Sequence, residues 1–415
     1  MIVSPSWRSS VRITRIYFSS YYERACMRKR FPLALAIAIS LALCGRAAAL
    51  LPFHFGFFPS GPLDAITDVA GVRVSNLTLI QGQDVRTGAT AVLPNADPWI
   101  HKVAGASLAF NGNGEMTGTH WIDTAGYLEE PVVLTDTLDV GRADDGVVDW
   151  VIEHHPQVGV TDDVPLPVVA ECDDQLLNDI QRRVVGPADV HKLLNEARPG
   201  QFARGSVGAG TGMRAFGFKA GIGSASRVLP ASLGGYTVGV LLNDNTGSSR
   251  EALTIVGVPV GERLKSEYRT VFPKHLSQAD LHGRMESGSI IIVVATDAPL
   301  DNRELRAVLL RAALGMGRTG LTSDVGSGDL FVAFSTSEVF EQTADFDVSA
   351  PTQRIVESDS VLNALYRATA EATQAAIYDA LFEATTMTGR GGATVYGLPD
   401  DRVLQMLRST GAISP

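Results

Sequence analysis

The residues best placed to do chemistry stand at a glycine-serine junction. Met285-Glu286-Ser287-Gly288 is polar, and Ser289 then heads Ile290-Ile291-Ile292-Val293-Val294-Ala295-Thr296-Asp297-Ala298-Pro299. An unbroken β-branched run of this kind reads as a strand buried on both faces. A chain cut between Gly288 and Ser289 would make Ser289 a new N-terminus at the mouth of a rigid central strand. Serine is a poor nucleophile unless a base sits beside it. A freed N-terminal serine brings that base, because an α-amine has a pKa of about 7.7–8.0 against about 10.4 for lysine. Gly288 has no Cβ, so it can take the strained backbone that brings Ser289 Oγ to the preceding carbonyl. The bland alternative is a serine that closes a turn ahead of a strand. Other Gly-Ser pairs begin at Gly205, Gly223, Gly247 and Gly326, and only the last also leads directly into a good strand.

Further polar residues stand at strand ends. Tyr236 to Leu242 reads as a buried strand that runs into Asn243-Asp244-Asn245-Thr246-Gly247. An asparagine at that edge can donate its amide to an oxyanion or close an Asx-turn. Gly326 to Phe334 is a strand with a hydroxyl, Ser327, and a carboxylate, Asp329, at its entrance. Leu166 to Ala170 delivers the acidic cluster Glu171-Cys172-Asp173-Asp174, either a helix N-cap or a site for a cationic group. The strand Ala104 to Phe110 runs into Asn111-Gly112-Asn113-Gly114-Glu115-Met116-Thr117-Gly118. Paired Asn-Gly steps favour positive φ, as a plain hairpin turn or a loop lining a site. Gly208-Ala209-Gly210-Thr211-Gly212 lacks the Lys-Ser/Thr of a phosphate loop and is followed by no dinucleotide fingerprint, so closely packed hairpins fit it better. No HExxH motif, CxxC pair or paired histidine at metal spacing appears, so no metal or other cofactor is expected.

The elements that must position these residues are short strands and a few helices. Val72 to Val74, Thr87 to Leu93 and Pro131 to Val140 read as strands. Pro187 to Ala197 reads as a helix with Gly200 capping it, and Arg303 to Met316, Asp359 to Ala384 and Asp400 to Leu407 read as helices. Gln278 to Ser287 is polar and suits an exposed cleavage loop.

Met27-Arg28-Lys29-Arg30, the apolar run Phe31 to Leu43 and Ala47-Ala48-Ala49 follow the order of a secretory signal peptide. Residues 1–26 then read as an upstream extension and Met27 as the true start. The leader up to Ala49 holds eight Lys/Arg and one Asp/Glu, so the mature chain carries 27 basic and 44 acidic residues, a net of −17. An exported chain this acidic is a poor partner for nucleic acid or anionic lipid. The leader's apolar run is too short to span a bilayer. Cys172 is the one cysteine after the leader, so no internal disulfide can form and stability must come from the core. A periplasmic or secreted location follows.

Read together, several segments resemble the self-processing aminopeptidases of the DmpA and BapA type, which include L-aminopeptidase/D-amidase/esterases and β-aminopeptidases. They are Asn111 to Gly118, Val169-Ala170-Glu171, Leu177 to Ile180, Gly208 to Met213, Gly288-Ser289-Ile290-Ile291, Ala295 to Pro299 and Ser327-Gly328-Asp329. The resemblance runs from about residue 55 to the C-terminus. It implies an α/β fold, a four-layer αββα sandwich with two packed, mainly antiparallel sheets, N-terminal-nucleophile-like. Residues 50–288 would form the larger subunit and residues 289–415 the smaller, of 127 residues, both within one catalytic domain. By resemblance Ser289 is the nucleophile, Asn245 the oxyanion donor, and Ser327 the group that relays or orients the nucleophile's proton. Asp329 stands where relatives often have Glu, and Glu171 would bind the substrate's free amino group. Cys172 stands where an aromatic is common, which bears on substrate preference. The partners implied are a peptide or amino-acid amide substrate, the other self-cleaved subunit, and further copies in a homo-oligomer. Two rivals remain: an N-acyl transferase of the ornithine acetyltransferase type, which normally uses threonine, and a non-catalytic periplasmic protein with an uncut chain.

Overall fold

The computed structural model describes residues 51–247, 249–273, 288–342, 348–349 and 358–414. The expected signal peptide and the expected cleavage loop, Gln278 to Ser287, lie outside the described residues.

The chain runs through β1 (Arg73–Gln81), β2 (Val85–Leu93), β3 (His101–Gly112), helix α1 (Thr119–Ala125), β4 (Tyr127–Leu128) and β5 (Val132–Asp136). Helix α2 (Val140–His154), β6 (Val168–Cys172) and α3 (Pro187–Glu196) follow. A small hairpin, β7 (Arg214–Ala215) and β8 (Phe218–Lys219), leads to β9 (Ile222–Val228), β10 (Thr237–Asn245) and α4 (Val260–Leu264). The last part holds β11 (Ser289–Thr296), α5 (Asn302–Gly317), β12 (Gly328–Gln342), α6 (Asp359–Phe382) and α7 (Asp400–Ser409).

Two sheets form. One has the order β1-β2-β5-β6, and the other runs β4-β3-β12-β11-β10-β9. Neighbours are antiparallel except β5 with β6 and β11 with β12. The alternation along β11 shows why its sequence is apolar throughout. Ile291, Val293 and Ala295 enter a core shared with Val92, Leu134 and Ala170 of the first sheet. Ile290, Ile292 and Val294 face the opposite way, into a core built with Leu305, Leu309, Ala372 and Ala376 of α5 and α6. On the outside of the first sheet, Val147 and Trp150 of α2 and Leu193 of α3 cover Ala91, Val133 and Val169. The result is four layers, helices outside and two sheets inside, as expected.

Three local expectations change. Pro131 to Val140 is not one strand, since β5 stops at Asp136 and Val140 opens α2. Asp136 ends it by accepting the Leu138 N–H at 3.0 Å, which turns the backbone into a short 3₁₀ step. Ala197, not Gly200, terminates α3, its N–H donating to Leu194 O. Glu171 and Cys172 belong to β6 itself, so the acidic cluster is not a helix cap.

Close approach explains the glycines that matter. A Cβ on Gly223 would lie 2.0 Å from Ala376 O, so β9 and α6 touch backbone to backbone. The alanine-rich face of α6 permits the same contact. A buried ion pair, Arg204 Nη1 to Asp379 Oδ1 at 3.0 Å, ties the glycine-rich segment to that helix, and Asp379 also accepts the Ser224 N–H at 2.9 Å.

Candidate active site

Register places the site at one end of the second sheet. Ser289 opens β11, opposite Asn245, the last residue of β10, and beside Gly328, the first of β12. Asn245 therefore stays extended and is not an Asx-turn. Its Nδ2 lies 3.3 Å from Ser289 Oγ and donates to Asp173 O at 2.9 Å. Its Oδ1 accepts the Arg214 N–H at 3.2 Å, which fixes the amide with nitrogen toward the serine. Both side chains are buried.

What requires glycine at 288 is space. A Cβ there would sit 2.5 Å from Thr246 C and 2.6 Å from both Asn245 O and Thr246 Cα. The carbonyl of Gly288 accepts the Gly328 N–H at 3.2 Å, so the bond ahead of Ser289 is held across to β12.

Ser327 and Asp329 lie one residue either side of Gly328. Ser327 Oγ donates to Asp329 Oδ1 at 2.5 Å, and Ser323 Oγ donates to Asp329 Oδ2. Burial raises the Asp329 carboxyl above its ordinary range; the two hydroxyls oppose that, and the Asp324 charge adds to it. The shorter side chain thus reaches Ser327.

Glu171 is buried and accepts two contacts, Glu115 N–H to Oε1 at 3.1 Å and the Thr137 hydroxyl to Oε2. Burial pushes its carboxyl up, against those two hydrogen bonds, and the charges of Asp173 and Glu115 push it further. A Cβ on Gly114 would lie 3.0 Å from Glu171 Oε1 and 3.3 Å from Gly328 Cα, so only a glycine separates Glu171 from the strand beside Ser289. The Asn111–Gly118 segment lines the site and makes no hairpin. Neither Gly112 nor Gly114 takes positive φ. Asn111 Nδ2 instead donates to Ser327 O and Asp324 O, each at 2.7 Å, and Asn113 Nδ2 donates to Gly326 O at 2.7 Å.

All five expected side chains, Ser289, Asn245, Ser327, Asp329 and Glu171, therefore gather around one strand end. Thr137, Ser323 and the backbone of Asp173 and Arg214 support them; of these only Asp173 stands in a segment that the sequence marks, the acidic cluster. Cys172 is buried beside Ser289, its thiol 3.7 Å from Asn243 O. Burial, then the Glu171 charge, raises its pKa, while a hydrogen bond with Ser289 opposes, so it stands as a neutral thiol. Among the described residues no group of three His, Cys, Asp or Glu side chains could hold a metal ion, and no helix is long and apolar enough to cross a membrane.

Four layers with a serine heading the central strand make this a hydrolase of N-terminal-nucleophile-like architecture. The chain belongs to peptidase family S58, whose model matches residues 64–395, and it is an aminopeptidase. It is 38% identical over 386 residues to the beta-peptidyl aminopeptidase BapA of Sphingosinicella xenopeptidilytica, covering 91% of this chain and 94% of that one. A β-aminopeptidase structure from a Burkholderia species superposes with a TM-score of 0.77 at 38% identity, over 86% of this chain and 97% of that one. The L-aminopeptidase D-Ala-esterase/amidase of Ochrobactrum anthropi, described as a variant of the Ntn hydrolase fold, gives 0.76 at 36% identity, over 87% of this chain and 98% of that one.

Proposed function

We propose that the protein cuts itself between Gly288 and Ser289 and then releases N-terminal residues through an acyl-enzyme on Ser289. The observation that supports this most is the buried Ser289 hydroxyl, at the head of β11 and 3.3 Å from an amide whose orientation two backbone groups fix. In self-cleavage Ser289 Oγ attacks the Gly288 carbonyl carbon, the C–N bond breaks, and the freed amine takes the proton. Water then hydrolyses the ester. In turnover the substrate amine pairs with Glu171 and Ser289 attacks the first acyl carbon, with its own α-amine as base. Asn245 Nδ2 donates to the oxyanion. Ser327, held by Asp329, orients the α-amine.

The substrate class favoured is a β-aminoacyl peptide or amide. The acyl group on Ser289 takes the place of Gly288, where a Cβ would meet the backbone of residues 245 and 246 at 2.5 to 2.6 Å. A β-amino acid can carry its substituent one carbon further out and present a bare CH₂ next to the carbonyl. The BapA name fits the same chemistry. Residues 50–288 and 289–415 would stay paired after cleavage, in copies that assemble further. Export of this pair rests on the leader alone.

Denaturing electrophoresis tests the first step: two bands, the smaller starting at Ser289, are expected, and Ser289→Ala should stay whole and inactive. A processed, active alanine variant would refute the nucleophile. Gly288→Ala should slow processing by at least about tenfold, from the clash of the added methyl with backbone. Matched α- and β-aminoacyl nitroanilides test the substrate class, and faster release of substituted L-α residues would overturn it.

A further inference from the structure

The turn ahead of β12 carries a serine at an uncommon backbone angle. Ser323 is half-buried with φ 58°, in the left-handed region that a residue with a Cβ seldom takes. The residues around it fix that turn. Asn111 Nδ2 holds Asp324 O and Ser327 O, Asn113 Nδ2 holds Gly326 O, and the Ser327 N–H donates to Asp324 O at 2.8 Å. A Cβ on Gly320 would lie 1.8 Å from Ala252 O, so the near end of the turn is pressed against backbone as well. Held this way, the Ser323 hydroxyl donates to Asp329 Oδ2, while Ser327 donates to Oδ1 at 2.5 Å. Strained positions persist where their surroundings over-determine them, and they cluster at functional sites.

We propose that Ser323 is a positioning residue for turnover: its hydroxyl keeps Asp329 an acceptor on both oxygens and so sets the direction of the hydrogen-bond chain that ends at the Ser289 α-amine. The inference rests on the proposed self-cleavage, which creates that amine beside Gly328 in the β11–β12 register. An ionised carboxylate only accepts, so Ser327 must give its single proton to Asp329 and has only lone pairs left for the amine. The amine then donates one N–H to Ser327 Oγ and keeps its own lone pair for the Ser289 hydroxyl. A protonated Asp329 can donate to Ser327 instead. Ser327 then turns its proton toward the amine's lone pair, and the base is occupied.

The groups around Asp329 make that protonation a real competitor. Asp324 lies in the same turn and its charge raises the Asp329 carboxyl. Asp244 of β10, itself buried and pushed up to about 7, and the Cys172 thiol of β6 both feel the Asp329 charge. Glu171 is a further carboxyl at the same strand end, across Gly114. Asp329 is also buried, and burial is the largest cause of its rise. The hydroxyls of Ser323 and Ser327 oppose it, Ser323 first. Ser327 has one proton to give and spends it on Oδ1, so Ser323 alone of the two covers Oδ2.

The test measures kcat against pH for a β-alanyl nitroanilide at saturation, with processed wild type, Ser323→Ala and Ser323→Gly. Saturation removes the binding limb expected from Glu171, and the α-amine limb is common to all three enzymes, so the ratio of wild-type to variant kcat isolates Asp329. Loss of the donor raises the Asp329 pKa further, so the carboxylate, present above that pKa, is lost sooner as pH falls. The ratio should therefore climb toward acid pH and level off at about tenfold, one pKa unit, within the usual worth of a hydrogen bond to a charged group. Both variants should behave alike. Glycine takes φ 58° at no steric cost, so Ser323→Gly keeps the turn and should unfold in denaturant no more easily than Ser323→Ala. A ratio that stays constant with pH would make Ser323 a merely structural part and overturn the proposal. So would an acid-side loss in Ser323→Ala that Ser323→Gly lacks, because it would trace to the backbone and not to the hydroxyl. A processed, active Ser289→Ala enzyme would remove the self-cleavage reading itself, a result that neither ratio can produce.

Discussion

Removal of the Asn245 amide tests how the hydroxyl at the strand head becomes competent. In Asn245→Ala, Ser289 loses the donor at 3.3 Å, and the Arg214 N–H and Asp173 O lose the partners that held that amide. Losing one oxyanion donor raises the barrier by about 2.7–4 kcal/mol, a fall in kcat of about 100- to 1000-fold. The two orphaned backbone groups add about 1–3 kcal/mol each of lost stability unless water reaches them. These costs separate by assay. Denaturant unfolding of the processed protein reads the second, and kcat/KM at a temperature where both proteins are folded reads the first. Self-processing, which forms the same kind of oxyanion, should slow by a similar factor and be visible as persistent precursor on a gel. Asn245→Asp sharpens the comparison. It keeps an acceptor for the Arg214 N–H but turns an oxygen toward Asp173 O and the nucleophile, so it should be at least as slow as the alanine variant while less destabilised. A processed Asn245→Ala enzyme within about tenfold of wild-type kcat would refute the oxyanion role, since even the lower bound is a hundredfold.

Three further outcomes are expected. In the proposed role Glu171 pairs with an amine only as the carboxylate, and burial raises its pKa; binding should therefore be present above that raised pKa and be lost as pH falls through it. The limb should appear in kcat/KM and not in kcat, and Glu171→Gln should remove it; an unchanged acid limb in the variant would contradict the assignment. Gly114→Ala places a methyl 3.0 Å from Glu171 Oε1 and 3.3 Å from Gly328 Cα, so KM for amine-bearing substrates should rise about tenfold, the worth of about 1.4 kcal/mol. Hydrolysis of an acyl ester without an amino group should change little by comparison. Arg204→Ala leaves Asp379 buried without its cation and should cost about 3–5 kcal/mol in denaturant unfolding, whereas replacing both residues with apolar ones should cost much less.

How far the molecule could be read from its sequence depended on whether each feature had a local cause. The strand at Ser289 did, because eight consecutive buried positions demand an apolar run. Helices α5 and α6 did as well: Leu305, Val308, Leu309 and Ala312 fall on one face, and Asp301 caps α5 by accepting the Glu304 N–H at 2.9 Å. Helix α2 was missed although Val140, Ala143, Val147, Trp150 and Val151 follow helical spacing. Gly141 and Gly146 interrupt the pattern. The reason for Gly146 lies in another element, since a Cβ there would come 2.8 Å from Val190 Cβ and 2.9 Å from Pro187 Cα of α3. A helix crossing of that closeness has no signature in the residues around it.

The site divides along the same line. Ser289, Asn245, Ser327 and Asp329 sit at strand ends, where a polar residue interrupts an apolar run and stands out. Thr137 and Ser323 do not interrupt anything, and what they do depends on a partner 34 and 6 residues away. The glycines at 114, 288 and 328 show the limit most clearly. Each was visible as a glycine, and two suggested turns or strain, yet each is required because another backbone or a carboxylate occupies the place of its Cβ: Glu171 at 114, Thr246 at 288, Asn113 at 328. Three strand ends and one loop converge on Ser289 more closely than side chains would allow. That convergence brings a carboxylate on one sheet and two hydroxyls on the other to the same strand end. It also means that a methyl added at any of the three should harm turnover more than it harms folding, because the strand ends can part slightly while the distances between catalytic groups cannot.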